Sequence, residues 1–266
     1  MAGQTQSPTV APTMVGAMTN PVSAPALSFR GASMVYPDGT HALSETTFDV
    51  HPGEFVTVVG PSGCGKSTLL RIASGLNPPT TGKVHVDRST LGYVFQDATL
   101  LQWRTVQRNV ELLAELQGMD KAERSRRASE TIKTVGLAGF ESKYPKQLSG
   151  GMKMRASLAR TLVLDPKVFL FDEPFGAVDE ITRERLNDEV IGLFGRQRFA
   201  GLFITHSIYE AVFLSTRVLV MSARPGRIVA EFNIPFDYPR LPDLRFQPEF
   251  ARLAGAISHE LRGAHA

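Results

Sequence analysis

Five apolar or β-branched residues in succession, Phe55-Val56-Thr57-Val58-Val59, are apolar enough to predict a strand buried on both faces. Similar runs recur at 168–171, 202–204 and 218–221, with helical periodicity between them. That alternation predicts an α/β domain whose central sheet is mostly parallel and carries helices on its faces. Ahead of the first buried run, 26–36 and 43–50 are strand-like and Pro37-Asp38-Gly39 supplies turn chemistry between them, so an antiparallel β piece is expected at the N-terminal side. From about 97 to 165 strand signals give way to helical patterns at 109–117, 121–135 and 152–164, which predicts a helical subdomain inserted into the α/β core. A closing segment, 233–266, contains Pro235, Pro239, Pro242 and Pro248 and then a short amphipathic helix over about 250–261. No internal repeat is visible, which excludes tandem copies of the core within this chain.

Composition sharpens that outline by exclusion. Of 266 residues, 42% are hydrophobic and 21% charged, as in ordinary globular proteins. A net charge of +3, scattered along the chain, is not the footprint of a nucleic-acid binder. The single cysteine, Cys64, excludes an intramolecular disulfide, and the six histidines never pair at metal-ligand spacing. No apolar run approaches the ~20 residues a membrane-spanning helix needs; the best, 211–221, is interrupted by Ser215, Thr216 and Arg217. Residues 1–27 read as a low-complexity flexible tail, broken by Pro8, Pro12, Pro21 and Pro25 and lacking the basic start of a secretory signal.

The first chemistry sits directly after the buried strand. Gly60-Pro61-Ser62-Gly63-Cys64-Gly65-Lys66-Ser67-Thr68 satisfies the phosphate-loop pattern G-x-x-x-x-G-K-[ST], and a helix containing Leu69, Leu70 and Ile72 follows it. The glycines let successive N–H groups converge on phosphate oxygens, and the helix adds its positive end. Lys66 is expected on the β- and γ-phosphates and the Ser67 hydroxyl on Mg²⁺. Cys64 is expected to be a small loop residue and not a nucleophile. A second apolar strand ends in Asp172-Glu173. Asp172 is expected to hold Mg²⁺, and Glu173 to act as general base on the attacking water. Alone, that pair would read as a solvated strand end; beside the phosphate loop it reads as the acidic half of a nucleotide site.

Leu148-Ser149-Gly150-Gly151 narrows the choice. Ser149 is a good N-cap, the glycines leave N–H groups uncovered, and Met154, Leu158 and Leu162 mark the apolar stripe of the helix that follows. With the phosphate loop and the acidic strand, this segment resembles an ATP-binding-cassette (ABC) ATPase subunit over about residues 28–232, in the family order. The resemblance implies a P-loop NTPase core, ATP and Mg²⁺ as cofactors, and an ATPase reaction. It also assigns residues: Tyr36 stacks on adenine, Gln96 reaches Mg²⁺ and the attacking water, Asp179 communicates across a dimer, and His206 contacts the γ-phosphate. Ser149, Gly150 and Gly151 would then meet the nucleotide of a second copy, or of a homologous subunit, arranged head to tail. Met152, Lys153, Met154 and Val178 depart from the commoner family residues without removing a charged catalytic group.

Leu100-Leu101-Gln102-Trp103-Arg104-Thr105-Val106-Gln107-Arg108-Asn109-Val110 and Ser222-Ala223-Arg224-Pro225-Gly226-Arg227-Ile228 resemble importer ATPases for nitrate, sulfonate and taurine, Gln102 replacing a proline. In that group the first segment receives a membrane subunit, so Trp103 is either an interface anchor or a plug in the subdomain's own core. The implied setting is the cytoplasmic face of the inner membrane, as a peripheral subunit beside a separate integral permease, with a solute-binding protein as indirect partner and no nucleic acid. Alternatives are an exporter ATPase, or a non-transport cassette acting in DNA repair or translation.

Overall fold

The computed structural model describes residues 24–264. In chain order the elements are β1 (Leu27–Val35), β2 (His41–Val50), β3 (Phe55–Val59), α1 (Lys66–Ser74), β4 (Thr81–Val86), β5 (Leu91–Val94), α2 (Val106–Val110), α3 (Leu112–Leu116), α4 (Lys121–Thr134), α5 (Gly150–Leu162), β6 (Val168–Asp172), α6 (Glu180–Gln197), β7 (Ala200–Thr205), α7 (Ile208–Leu214), β8 (Arg217–Met221), β9 (Ile228–Asn233) and α8 (Pro248–Gly263). They form a three-stranded antiparallel sheet, β2-β1-β4, and a six-stranded sheet, β5-β6-β7-β3-β8-β9. All neighbours in the larger sheet are parallel except β8 and β9. The uncharged segment at 1–27 lies outside the described residues up to position 23, and Leu27 is the first residue of β1.

The buried run at 55–59 explains the layering. Side chains alternate across a strand, so Phe55 and Val59 face one layer while Val56 and Val58 face the other. On the first side Phe55 meets Phe171, Phe194, Phe199 and Phe203 at centroid distances of 5.3–6.1 Å, and α5, α6, α7 and α8 contribute to the same core. Each fully buried aromatic of this kind contributes about 1.5–3 kcal/mol by leaving water. On the second side Val56, Val58, Leu170, Leu202 and Ile204 pack against Leu27, Phe29 and Phe48 of the antiparallel sheet and Leu69 and Leu70 of α1. The central strand is therefore clamped between two cores, and the loop leaving its C-terminal end is anchored at a fixed place.

The structure departs from the sequence expectation in a few elements. β4, β5 and β9 have no counterpart in the predicted pattern: β4, Thr-Gly-Lys-Val-His-Val, is largely exposed, β5 has only four residues, and β9 alternates partly buried with exposed positions at a sheet edge. The helix expected at 109–117 is two short ones, α2 and α3, with Glu111 between them. Glu111 is buried and accepts from Gln107, besides pairing with Arg108. The predicted 152–164 helix starts at Gly150, capped by Ser149. The C-terminal helix packs on α7 and β8, burying Phe250 and Ile257. Arg240, buried just ahead of it, donates to the carbonyls of Val212 and Phe213 at the end of α7. No helix among the described residues is long and apolar enough to cross a membrane.

Candidate functional site: a nucleotide cleft

β3 delivers the loop 60–68, and close packing fixes its curl. A Cβ on Gly60 would lie 2.9 Å from Cys64 Sγ, and one on Gly65, where φ is +109°, would lie 2.5 Å from the Ala42 carbonyl oxygen. Only glycine suits Gly65 on both counts. Cys64 is buried, and burial pushes its thiol pKa up, so it is no nucleophile. Lys66 is also buried: its Nζ donates to the Gly60 and Pro61 carbonyls at 2.9 Å each and lies 3.7 Å from Glu173. α1 begins without a side-chain cap, leaving its first N–H groups for a ligand.

β6 runs parallel to β7 and brings the acidic pair to the same end of the sheet. Asp172 accepts from Ser67 Oγ at 2.9 Å and from the Tyr93 hydroxyl at 3.1 Å. Tyr93 was expected in no such role. It sits in β5, in register with Leu170, two residues ahead of Asp172, a pairing no local pattern announces. Burial and the neighbouring Asp172 carboxylate push its phenol pKa well up, so it stays a donor. The strand ends at Asp172; Glu173 has φ +44° and turns towards Lys66 and His206, whose Nδ1 is 3.0 Å from Glu173 Oε2. Gln96 joins them: its Nε2 and Glu173 Oε2 both lie 3.9 Å from where a Cβ on Gly176 would sit.

A cleft of about 260 Å³ gathers Ser62, Gly63, Gly65, Lys66, Ser67, Thr68, Gln96 and Glu173, together with Arg224. Tyr36 stands at one side, its hydroxyl 3.1 Å from Thr68 Oγ1. The remaining expected residues are elsewhere. Ser149 Oγ accepts from Met152 N, capping α5, and Gly151 is pressed so closely on α6 that a Cβ would fall 2.6 Å from Thr182 Cγ2. Asp179 caps α6 through Thr182 N, and the nearby Thr182 hydroxyl together with that bond holds its carboxyl below the usual range. Neither Ser149, Gly150, Gly151 nor Asp179 lines the cleft. Trp103 is 74% exposed, which corrects the alternative of a core plug.

A family profile described as ABC transporter matches residues 43–176. The chain belongs to the ABC transporter family. An uncharacterised ABC transporter ATP-binding protein of Methanocaldococcus jannaschii is 49% identical over 75% of this chain and 77% of its own length. A nitrate import ATP-binding protein of Synechocystis is 44% identical over 84% and 88%. A taurine import ATP-binding protein of Rhizobium johnstonii is 41% identical over 82% and 87%. Among solved structures, a dimeric post-hydrolysis ATP-binding cassette bound to ADP and Pi aligns with a TM-score of 0.71 and 30% identity, covering 79% of this chain and all of that one. The protein is thus an ATPase of the cassette type, with the mixed α/β fold of that family.

Proposed function

We propose that this ABC ATPase drives the import of a small anion of the nitrate, sulfonate or taurine class through a separate membrane permease. The observation that carries the catalytic part is the convergence of Lys66, Ser67, Gln96 and Glu173 on one cleft, backed by Asp172 and His206. In this reading the glycine-rich backbone of 60–65 and Lys66 cradle the β- and γ-phosphates of ATP, Thr68 supports the α-phosphate side, and Tyr36 stacks on adenine. Ser67, Asp172 and Gln96 offer only oxygen donors from the protein, a set that fits Mg²⁺, which keeps several water and phosphate ligands. Bound there, the ion would neutralise charge between the β- and γ-phosphates. Glu173 takes the proton of the attacking water, and His206, hydrogen-bonded to it, orients that carboxylate and meets the γ-phosphate.

One chain holds only part of the site. Ser149, Gly150 and Gly151 do not line their own cleft, so a second copy or a homologous subunit supplies them head to tail in this reading, with Asp179 at the junction. Closure on ATP and reopening after hydrolysis would then drive alternating access in the permease. Residues 28–232 form the ATPase unit in this reading, with the helical insertion at about 97–165, and 233–266 are appended to it. Trp103, exposed on the insertion, is the proposed anchor for the permease. The working place would be the cytoplasmic face of the inner membrane, with a solute-binding protein delivering the anion from the other side.

Reconstitution with the candidate permease in vesicles tests this reading. ATP-dependent uptake of radiolabelled nitrate, taurine or an alkanesulfonate is expected. ATP hydrolysis without uptake of any of the three would overturn the import assignment and favour an exporter.

A further inference from the structure

Arg224 lies 158 residues after Lys66 in sequence yet lines the same cleft. The loop that carries it, between β8 and β9, is built against the phosphate loop. Gly226 N donates to the Ala42 carbonyl at 3.2 Å, and Ser44 N donates to the Gly226 carbonyl at 2.8 Å. A Cβ on Gly226 would fall 2.1 Å from the Cys64 carbonyl oxygen, so the two loops touch backbone to backbone. Ser222 Oγ accepts from Arg227 N and closes the turn. The guanidinium is thereby delivered to one place: its Nε donates to the Gly63 carbonyl at 3.1 Å, and Nη2 lies 3.7 Å from where a Cβ on Gly63 would sit. Both Nη atoms are without a hydrogen bond among the described residues.

Charge shows what those free donors suit. The cleft lining carries Lys66 and Arg224 against Glu173, so Arg224 changes its balance from neutral to positive. Lys66 already spends hydrogen bonds on the Gly60 and Pro61 carbonyls and faces Glu173. A guanidinium with an unoccupied edge is the geometry that takes two phosphate oxygens at once. The cleft also holds Gln96 and Glu173, the groups assigned to the reacting end of the nucleotide.

Resting on the cleft reading above, we propose that Arg224 is a further nucleotide-binding residue, which contacts the terminal phosphate end of a nucleoside triphosphate while Gly63 holds its Nε. It would make the site favour ATP over ADP. Binding of ATP and of ADP to the full chain, measured by calorimetry for wild type, Arg224→Gln and Arg224→Lys, tests this, with Lys66→Ala as the reference variant. Gln keeps a donor without charge; Lys keeps charge. Arg224→Gln is expected to weaken ATP about tenfold, the scale of one charge-assisted hydrogen bond, and ADP about twofold or less, with Arg224→Lys restoring most of the loss. Added salt should narrow the gap between wild type and Arg224→Gln. Unchanged ATP affinity in Arg224→Gln overturns the proposal. So does an equal loss for ATP and ADP that Lys fails to restore, which would make Arg224 a brace for Gly63. If Lys66→Ala also leaves ATP affinity intact, the cleft reading itself is what fails.

Discussion

Two helix starts in this molecule look alike in sequence and differ in structure. α1 begins after Gly65 with no side-chain cap, a buried lysine in its first position and two carboxylates close by, Asp172 at the end of β6 and Glu173 just after it. α5 begins after Ser149, whose hydroxyl already accepts from Met152 N, and its glycines do not line the cleft. Both present N–H groups and a positive dipole end. Only the first is surrounded by the groups that chemistry on a triphosphate needs. The second has neither a lysine nor a carboxylate of the cleft beside it, so in the proposed reading its use in catalysis would require another chain to bring a nucleotide to it.

That contrast can be broken at several points. The largest effect is expected from Glu173→Gln, which keeps the shape of the first site and removes the carboxylate proposed as its base: turnover should fall about 10²–10⁴-fold with ATP binding retained. Near wild-type hydrolysis in a steady-state phosphate-release assay would end the general-base role. Lys66→Ala should weaken ATP binding about 10–100-fold, since the cradle loses a charged donor, and equilibrium binding of a fluorescent ATP analogue reads this directly. At the second start, Ser149→Ala removes the cap of α5 and should cost about 1 kcal/mol of stability, measurable by urea unfolding. Its ATP affinity as an isolated monomer should stay that of wild type, while ATP-driven dimerisation, followed by light scattering in the Glu173→Gln background, should weaken. A monomer that loses ATP affinity would place Ser149 in its own cleft. The smallest effect on the isolated chain is expected from Trp103→Ala. An exposed side chain should change stability by no more than about 0.5 kcal/mol, so loss of permease-stimulated hydrolysis with intrinsic hydrolysis retained marks an interface anchor.

Much of the fold was legible because its signals are local. The run at 55–59 announces a doubly buried strand, Gly60 to Thr68 announce a phosphate loop, and Ser149 announces a helix start. β4 and β9 were not legible, because they are edge strands without one fully buried side chain, β4 mostly exposed and β9 exposed at every second position, and so lack the apolar run that marks a buried strand. The break at Glu111 was hidden for another reason: the pattern at 109–117 continues as a helix, and the buried carboxylate with its partners belongs to the packing of α2 against α4. Trp103 could be read two ways from sequence, since an indole serves a core or an interface equally well, and only its exposure in the structure excludes the core.

The sequence by itself determined which chemical groups this ATPase owns and the order in which the chain presents them. Motif recognition depends on near neighbours, through backbone geometry and helix or strand period, and near neighbours are what a sequence displays. The tertiary structure alone decided which groups meet. Ser67 reaches Asp172 across 105 residues, and Arg224 reaches Gly63 across 161. Tyr93 finds the same aspartate because β5 lies beside β6. These meetings follow from strand order in a parallel sheet, where neighbours in space are joined by long crossovers. No local pattern encodes them, and the two cores on either side of β3 hold them in place.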